Sequence, residues 1–252
     1  MMSRQTVLIT GASRGIGAAT ARLLASQGIN LCLNYRSDSA AAQAVLEDVR
    51  AMGVDAIAVQ ADVSKEAEVV GLFATLDLQL GRLTGLVNNA GILQPQMRLE
   101  AMTAERINHI LTTNVTSQFL CCREAVKRMA FSHGGKGGAI VNVSSAASRS
   151  GAPFEYIDYA ASKGAVDSLT KGLSLEVASD GIRVNGVRPG FIATEMHADG
   201  GEPERVARLI KNNAIPMQRG GSADEVAEAI SWLLSDKASY STGSFIDLAG
   251  GR

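Results

Sequence analysis

The sequence predicts an α/β protein: one domain built on a doubly wound, seven-stranded parallel sheet with helices on both faces. Short apolar runs alternate with amphipathic helical stretches along the chain, which is typical of parallel β/α architecture. Most of these runs are rich in valine, isoleucine and leucine, as expected for strands buried on both faces. No linker interrupts the 252 residues, so residues 1–252 are expected to form a single domain. The predicted strands are Thr6–Thr10, Asn30–Tyr35, Ala56–Gln60, Leu83–Asn88, Ala139–Ser144, Arg183–Arg188 and Ser244–Leu248.

Bulk composition argues against nucleic-acid and membrane partners. The chain is 46% hydrophobic and 19% charged, which supplies enough apolar residues for a sheet covered on both faces. A formal net charge of −1 gives no bulk attraction to nucleic acid or to anionic membranes. No apolar run approaches the ~18 residues of a membrane span. We therefore expect a small-molecule substrate.

Export, disulfides and metal binding are not expected either. The first predicted strand begins at Thr6, which leaves no room for a signal peptide, so a cytoplasmic protein is expected. The cysteines and histidines lack the spacing of a disulfide framework or a metal site; they are Cys32, Cys121, Cys122, His109, His133 and His197.

The first strand runs into a glycine-rich turn that begins a helix. Gly11, Gly15 and Gly17 follow the spacing G-x-x-x-G-x-G, which differs from the G-x-G-x-x-G of the common dinucleotide fingerprint. Glycines allow the backbone to approach a pyrophosphate closely, and the positive end of the following helix attracts this anion. At the start of an alternating β/α chain, the turn favours a Rossmann-type dinucleotide site over a plain tight connection.

A tyrosine and a lysine lie four residues apart in Tyr159-Ala160-Ala161-Ser162-Lys163, within a segment predicted to be helical. Residues i and i+4 share one helix face, so the ammonium is expected beside the phenol. A neighbouring positive charge favours the phenolate and lowers a pKa that is ordinarily near ~10. Tyr159 is therefore a candidate to exchange a proton with an alcohol or a carbonyl.

An ordered set of motifs resembles the short-chain dehydrogenase/reductase family along essentially the whole chain. They are the glycine turn, Asn88-Asn89-Ala90-Gly91, Asn114, Ser144-Ser145, Tyr159 with Lys163, and Pro189-Gly190. Within the family, the chain is similar to bacterial 3-oxoacyl-carrier-protein reductases and glucose 1-dehydrogenases. The resemblance implies an NAD(P)-dependent oxidoreductase that acts on CH–OH groups.

The resemblance also implies a catalytic set of Asn114, Ser145, Tyr159 and Lys163. Tyr159 would be the general acid in carbonyl reduction, or the base in alcohol oxidation, and Lys163 would also bind the nicotinamide ribose. Asn114 would distort its helix and hold a water in a proton relay to the lysine. Ser145 is chosen over Ser144 to hold the substrate oxygen. However, Tyr159 comes fourteen positions after Ser145, one more than in many relatives, so the choice of serine stays open.

The nucleotide site implied by the resemblance lies at the strand ends. Asp62 would meet the adenine, Ala90 and its neighbours the adenosine ribose, and Thr194 the nicotinamide side. The expected cofactor-binding residues are Gly11, Ser13, Arg14, Gly15, Ile16, Gly17, Asn34, Tyr35, Arg36, Asp62, Val63, Asn88, Ala90, Gly91, Tyr159, Lys163, Pro189, Gly190, Ile192 and Thr194.

The end of the second strand favours NADP over NAD. An acidic residue there would accept the ribose 2′-hydroxyl and repel a 2′-phosphate, but the sequence is Asn34-Tyr35-Arg36-Ser37. The planar guanidinium groups of Arg36 and Arg14 are both suited to a phosphate. NAD is the open alternative, because glucose dehydrogenases of the family with a similar segment accept both.

Residues 191–221 interrupt the β/α alternation. Glycines and prolines flank a short helical stretch from Glu204 to Asn212, which favours a mobile substrate lid at about 191–221 over a functionless surface insertion.

Three functions are weighed. The leading one is NADP-dependent hydride transfer to or from a small polar or sugar-like substrate. The second is a 3-oxoacyl-carrier-protein reductase, although carrier-using relatives often have an arginine where this chain has Asp180. A non-catalytic dinucleotide sensor is disfavoured because such proteins usually lose the tyrosine or the lysine. The resemblance further implies a homotetramer that pairs helices near Phe119 and Leu169.

Overall fold

The computed structural model describes residues 5–252, with the backbone alone described for His197. Seven strands form one parallel sheet in the order β3-β2-β1-β4-β5-β6-β7, which confirms the predicted fold class. Strand ends differ from prediction by up to two residues; β4 begins at Gly85 because its pairing with β1 starts there. The strands are β1 (Thr6–Ile9), β2 (Asn30–Tyr35), β3 (Ala56–Gln60), β4 (Gly85–Asn88), β5 (Gly138–Val143), β6 (Ile182–Pro189) and β7 (Phe245–Leu248).

Helices cover both faces of the sheet. Leu24, Val49 and Ile230 are buried in the core of one face, whereas Phe73 and Met129 are buried in the core of the other. The first core is covered by α1, α2 and α10, and the second by α3, α5 and α7. The helices are α1 (Gly15–Ser26), α2 (Ser39–Ala51), α3 (Glu66–Leu80), α4 (Ala104–Leu111), α5 (Ser117–Met129), α6 (Ala147–Ser150), α7 (Ile157–Glu176), α8 (Met196–Asp199), α9 (Arg205–Lys211) and α10 (Ala223–Leu234).

The strand order reverses between β1 and β4, which are neighbours although β2 and β3 separate them in sequence. Ligands of such sheets bind outside the carboxyl ends of the strands at this reversal. The glycine turn follows β1, and Asn89-Ala90-Gly91 follows β4. Two of the predicted nucleotide-binding motifs therefore meet at the reversal point.

Residues 191–221 leave the sheet after β6 and return to it at α10. The segment contains α8 and α9, so the helix predicted from Glu204 to Asn212 is observed as Arg205–Lys211. Its two ends are fastened together, because Ile192 pairs with Gly221 in an isolated bridge and the Gly221 N–H donates to the Phe191 carbonyl at 2.9 Å. The 191–221 segment therefore projects from a single narrow base.

A π-helical turn at Thr112–Thr116 joins α4 to α5. The helix is distorted at Asn114, as the family resemblance implied.

Candidate active site

Tyr159 and Lys163 lie together on α7. The Lys163 Nζ is 5.6 Å from the centroid of the Tyr159 ring, and it donates a hydrogen bond of 2.8 Å to the Val143 carbonyl at the end of β5. Lys163 is buried and Tyr159 is half-buried. The i, i+4 spacing therefore brings the two groups together as predicted.

The phenol holds its proton at neutral pH. Burial raises the pKa of Tyr159 to about 12, although a hydrogen bond with Ser145 acts to lower it. Burial also lowers the pKa of Lys163 to about 8, against the charge of Asp167, which raises it. The expectation that the lysine brings the tyrosine below its ordinary pKa is therefore wrong for this chain, because desolvation of the phenolate dominates.

Of the two serines at the end of β5, Ser145 is the one beside the phenol. Its hydroxyl hydrogen-bonds with Tyr159 and accepts from the Ala147 N–H at 3.1 Å. Ser144 is buried, and its hydroxyl lies 2.6 Å from Asp167 Oδ1, to which it donates. This geometry supports Ser145 rather than Ser144 as the hydroxyl that meets a substrate.

Asn114 is buried in the π turn and braces the site. Its Oδ1 accepts from the Ile92 N–H at 2.8 Å, and its Nδ2 donates to the Ile92 carbonyl at 3.0 Å and to Ser162 Oγ at 3.1 Å. The side chain therefore ties the segment after β4 to the helix that carries Tyr159. The water relay from Asn114 to Lys163 stays a prediction.

The glycine turn has the shape that a pyrophosphate requires. Gly15 has a φ of +53°, and a Cβ on Gly17 would lie 2.4 Å from the Gly11 carbonyl oxygen, so a side chain there would clash with backbone. The residue before α1, Arg14, makes no side-chain cap, which leaves the first N–H groups of the helix without that partner. Ser13 is half-buried in the turn, and Ile16 packs against the core.

Thr10 and Asn89 hold the glycine turn against the end of β4, a role that the sequence analysis missed. Thr10 Oγ1 accepts from the N–H groups of Asn89 and Ala90, each at 3.0 Å. Asn89 Nδ2 donates to the carbonyls of Thr10 and Gly11 at 3.0 and 2.9 Å. Asn88 and Asn89 are adjacent in the motif, and the sequence alone does not distinguish which of them holds the turn.

Asn88 and Asn34, both expected at the nucleotide, use their side chains inside the protein. Asn88 is buried in the sheet and donates to Asn142 Oδ1 at 2.9 Å. Asn34 Oδ1 accepts from the Gly11 N–H at 3.3 Å, while its Nδ2 donates to the Ala61 carbonyl at 2.9 Å. These side chains therefore shape the site, and a nucleotide would meet their backbone only.

The predicted adenosine side of the site is lined from the ends of β2 and β3. The Asp62 carboxylate accepts from the N–H and hydroxyl of Ser64 at 3.0 and 2.6 Å. Burial alone would raise the pKa of Asp62, but these bonds and the charges of Lys65 and Arg36 hold it below its usual value. Asp62 is therefore an ionised acceptor. Arg36 is exposed, Tyr35 is half-buried and Val63 is buried.

The chain after β6 lies beside the glycine turn and borders the candidate site, which we call the cleft. A Cβ on Gly15 would lie 3.5 Å from Thr194 Cγ2, so Thr194 lies next to the glycine turn although the two are distant in sequence. Pro189 accepts from the Ala146 N–H at 2.9 Å, and a Cβ on Gly190 would lie 2.8 Å from Ala249 Cα. Ile192, also expected here, is buried.

Polar contacts fasten the 191–221 segment over this cleft. Arg14 of the glycine turn forms an ion pair with Asp199. Gln96 Nε2 donates to Glu202 Oε2 at 2.6 Å, and the Tyr156 hydroxyl donates to the Gly200 carbonyl at 3.2 Å.

Arg205 is the central contact of the segment and is only 6% exposed. It forms ion pairs with Glu155 and Glu202, and its guanidinium carbon lies 4.9 Å from the ring centroid of Tyr156 and 5.4 Å from that of Phe191. Glu155 and Tyr156 directly precede α7, so the segment closes against the start of the helix that carries Tyr159.

The residues around the cleft fit a dinucleotide. Gly17 permits close backbone approach, the start of α1 can accept an anion, and Gly91 lies near Lys163, since a Cβ there would be 3.6 Å from the Nζ. When bound, the nicotinamide would donate or accept a hydride. Across residues 5–252, leaving aside the His197 side chain, no group of three or more His, Cys, Asp or Glu is arranged to hold a metal ion. No helix in that range is long and apolar enough to cross a membrane.

Comparison with known proteins identifies the family of the chain. Residues 11–252 match the family described as "Enoyl-(Acyl carrier protein) reductase". The chain is 65% identical over 245 residues to "Uncharacterized oxidoreductase YgfF" of Escherichia coli (strain K12), covering 97% of this chain and 98% of that protein. It is 38% identical over 251 residues to "3-oxoacyl-[acyl-carrier-protein] reductase FabG" of Staphylococcus aureus (strain Mu50), covering 100% and 99%. It is 36% identical over 250 residues to "Glucose 1-dehydrogenase 2" of Bacillus subtilis (strain 168), covering 99% and 95%.

A solved structure of high similarity indicates the same fold and family. A short-chain type dehydrogenase/reductase from Mycobacterium marinum superposes with a TM-score of 0.89 at 34% identity, covering 99% of this chain and 96% of that one. The chain therefore belongs to the short-chain dehydrogenase/reductase family and is an NAD(P)-binding oxidoreductase.

Proposed function

We propose that this oxidoreductase uses NADP to transfer hydride to or from a carbonyl or secondary alcohol of a small polar or sugar-like substrate. The observation that carries the proposal is the phenol of Tyr159, hydrogen-bonded to Ser145 and lying beside the buried Lys163. With a pKa of about 12, Tyr159 keeps its proton at neutral pH. It then donates this proton to an oxygen that gains negative charge during hydride transfer.

The same groups account for both directions of the reaction, reduction and oxidation. In reduction, Ser145 holds the substrate oxygen, hydride reaches the carbonyl carbon, and the Tyr159 proton goes to the oxygen. The cation of Lys163 stabilises the phenolate that is left behind. Oxidation uses the same contacts in reverse and requires the Tyr159 phenolate to take the hydroxyl proton, so with a pKa of about 12 for Tyr159 we expect high pH to favour oxidation.

Arg36 and Arg14 support NADP as the nucleotide. Arg36 is exposed at the end of β2 and takes part in none of the ion pairs formed by the described residues. A planar guanidinium suits the 2′-phosphate, and the end of β2 offers no carboxylate to repel it. NAD is retained as a second nucleotide, because glucose dehydrogenases of the family with a similar segment at the end of β2 accept both nucleotides.

Small polar substrates are favoured over acyl carrier protein. Asp180 is fixed at the surface, where its Oδ1 accepts from the Ser132 N–H at 2.8 Å. A carboxylate at this position repels an acidic carrier. The relative named as a glucose 1-dehydrogenase supports a sugar-like substrate, whereas the relative named FabG keeps the carrier reductase as the second candidate. The retained Tyr159 and Lys163 weigh against a dinucleotide sensor.

We further propose a homotetramer and a cytoplasmic location. Phe119 on α5 is 52% exposed and Leu175 on α7 is 69% exposed, so both helices have apolar side chains available for a second copy. Light scattering on the purified protein measures the assembly, and fractionation of the source cells measures the location. A monomer at micromolar concentration would contradict the first proposal.

The function is tested by steady-state turnover of a panel of sugars, polyols, small ketones and 3-oxoacyl thioesters, with both nucleotides and in both directions. We expect NADP(H)-dependent turnover of at least one polar carbonyl or alcohol. The carrier alternative is tested by comparing a 3-oxoacyl group on acyl carrier protein with the same group on pantetheine. A salt-sensitive rise in kcat/KM that requires the carrier would favour the fatty-acid reductase instead.

A further inference from the structure

Lys163 is buried, and burial destabilises the charged form of its ammonium group. The residue is only 3% exposed, and its Nζ donates to a neutral carbonyl, that of Val143. A buried ammonium loses its proton easily unless an opposite charge lies nearby. The activity proposed above needs the cation, so a nearby carboxylate should be functionally important.

Asp167 lies one turn after Lys163 on α7 and has its carboxylate fixed from two sides. Its Oδ1 accepts from Ser144 Oγ at 2.6 Å, and its Oδ2 pairs with Arg188 Nε at 3.0 Å. Ser144 Oγ also lies 3.2 Å from the Lys163 carbonyl, so the serine joins the backbone of the lysine to the carboxylate. The i, i+4 spacing places Asp167 and Lys163 on one side of the helix.

Arg188 is itself held in place by β7. Its guanidinium carbon lies 3.8 Å from the ring centroid of Phe245, and its Nη1 is 3.6 Å from Asp247 Oδ1. Asp247 also pairs with Arg149 at 2.8 Å. Asp167 is therefore at the inner end of an ionic chain that leads from the protein surface to Ser144.

We propose that Asp167 is a positioning residue for the reaction, which keeps Lys163 protonated while Ser144 and Arg188 hold the carboxylate in place. The inference rests on the proposed function of Tyr159 and Lys163. The charged and titratable groups around the lysine are Tyr159 and Asp167 from α7, Arg188 from β6, Asp247 from β7 and Arg149 from α6; β5 and the π turn add the neutral Ser144 and Asn114. Asp167 is the one whose charge raises the pKa of Lys163.

The experiment measures NADPH affinity by fluorescence titration between pH 6.5 and 10, in parallel with the pH profile of kcat/KM. In the wild-type protein, we expect affinity to fall as Lys163 loses its proton. Asp167→Asn keeps the size of the side chain but removes the charge, and should move this transition down by about one pH unit or more, a tenfold change in proton affinity. Arg188→Met removes the charge that offsets Asp167, and should move the transition upward.

Three control variants separate this role from a loss of structure. Lys163→Met should abolish the transition, which assigns it to this lysine. Asp247→Asn alters the same ionic chain without changing the charge at Asp167, so the pH of the transition should not move. Asp167→Glu keeps the charge, so its transition should lie at the wild-type pH. An Asp167→Asn protein with normal circular dichroism and an unmoved transition would overturn the proposal. The two hypotheses can fail separately because nucleotide binding is measured directly. If the wild-type protein bound NADPH but reduced no substrate, the proposed function would be contradicted, while the binding titration would still test the role of Asp167.

Discussion

Arg106 and Asp158 form a buried ion pair between α4 and α7, one residue before Tyr159. Arg106 Nε lies 2.7 Å from Asp158 Oδ2, and the side chains are only 10% and 2% exposed. The second carboxylate oxygen, Asp158 Oδ1, accepts from the Tyr159 N–H at 2.9 Å, and Arg106 Nη1 donates to the Pro95 carbonyl at 2.7 Å. The pair therefore joins the start of the helix carrying Tyr159 to the segment after β4.

We expect Arg106→Met to lower the free energy of unfolding by about 3–5 kcal/mol, because it leaves the buried Asp158 carboxylate without its counter-charge. Urea denaturation at neutral pH measures the loss. The double variant Arg106→Met with Asp158→Asn should recover part of it. Arg98→Met, which removes a partner from the exposed Arg98–Glu100 pair, is the matched control and should leave stability unchanged. Equal losses in the two single variants would contradict a special role for the buried pair.

Tyr159→Phe should fold and bind NADPH but lose turnover by about 10²–10⁴-fold, because the ring is kept and the proton donor is removed. Steady-state kinetics and fluorescence titration measure the two properties separately. Tyr240→Phe removes the hydroxyl of a fully exposed tyrosine and should behave as wild type. Retention of half the wild-type rate by Tyr159→Phe would exclude it as the general acid.

Ser145→Ala should reduce kcat by about 10²-fold, since it removes a hydroxyl that would hold the developing oxyanion. Ser144→Ala should reduce kcat less, because its hydroxyl bonds to Asp167 rather than to Tyr159. The measurement is kcat for both variants with one good substrate. The opposite order would show that Ser144 meets the substrate.

Arg36→Asp should reverse the nucleotide preference. The substitution replaces a charge-assisted phosphate contact worth ~1.5–3 kcal/mol with a repulsive carboxylate, so NADPH affinity should fall about ten- to a hundredfold while NADH affinity is retained. Fluorescence titration with both nucleotides measures this. Arg82→Asp makes the same change at an exposed site before β4 and should alter neither affinity. Equal wild-type affinities for the two nucleotides would remove the NADP preference.

The buried lysine also predicts how stability depends on pH. The folded-state pKa of Lys163 is about 8 and its ordinary value is 10.5, so between these values the folded protein has released a proton that the unfolded chain retains. Raising the pH through this window therefore favours the folded state. Relative to Lys163→Met, the wild-type free energy of unfolding should be constant below pH 8 and rise by about 3 kcal/mol by pH 10.5. Urea denaturation of both proteins at several pH values measures the difference, and a flat difference would show that the lysine is not desolvated.

Much of this molecule could be predicted from local sequence patterns. Alternating apolar runs give all seven strands, because a strand buried on both faces needs a continuous apolar run. The i, i+4 spacing of Tyr159 and Lys163 gives their proximity, because a helix places those positions on one side.

What the sequence did not reveal depends on contacts between distant segments. The pKa of Tyr159 follows burial, which is a property of the whole fold, and a neighbouring charge alone predicts the opposite direction. Asn89 rather than Asn88 braces the glycine turn because Asn88 bonds to Asn142, a partner on another strand. Arg205 joins Glu155 before α7 to the 191–221 segment, and no local pattern signals this contact.

The contacts of the 191–221 segment differ in how deeply they are buried. The pair of Arg14 with Asp199 is about half exposed on both sides, whereas the Arg205 side chain is 7% exposed. Dissolved ions screen exposed charges beyond ~8 Å at physiological ionic strength but reach buried pairs much less. We therefore expect rising salt to weaken the contact of Asp199 with Arg14 more than the contacts of Arg205. For the predicted substrate lid, we therefore expect ionic strength to affect how readily molecules enter and leave the site, even when the substrate itself carries no charge.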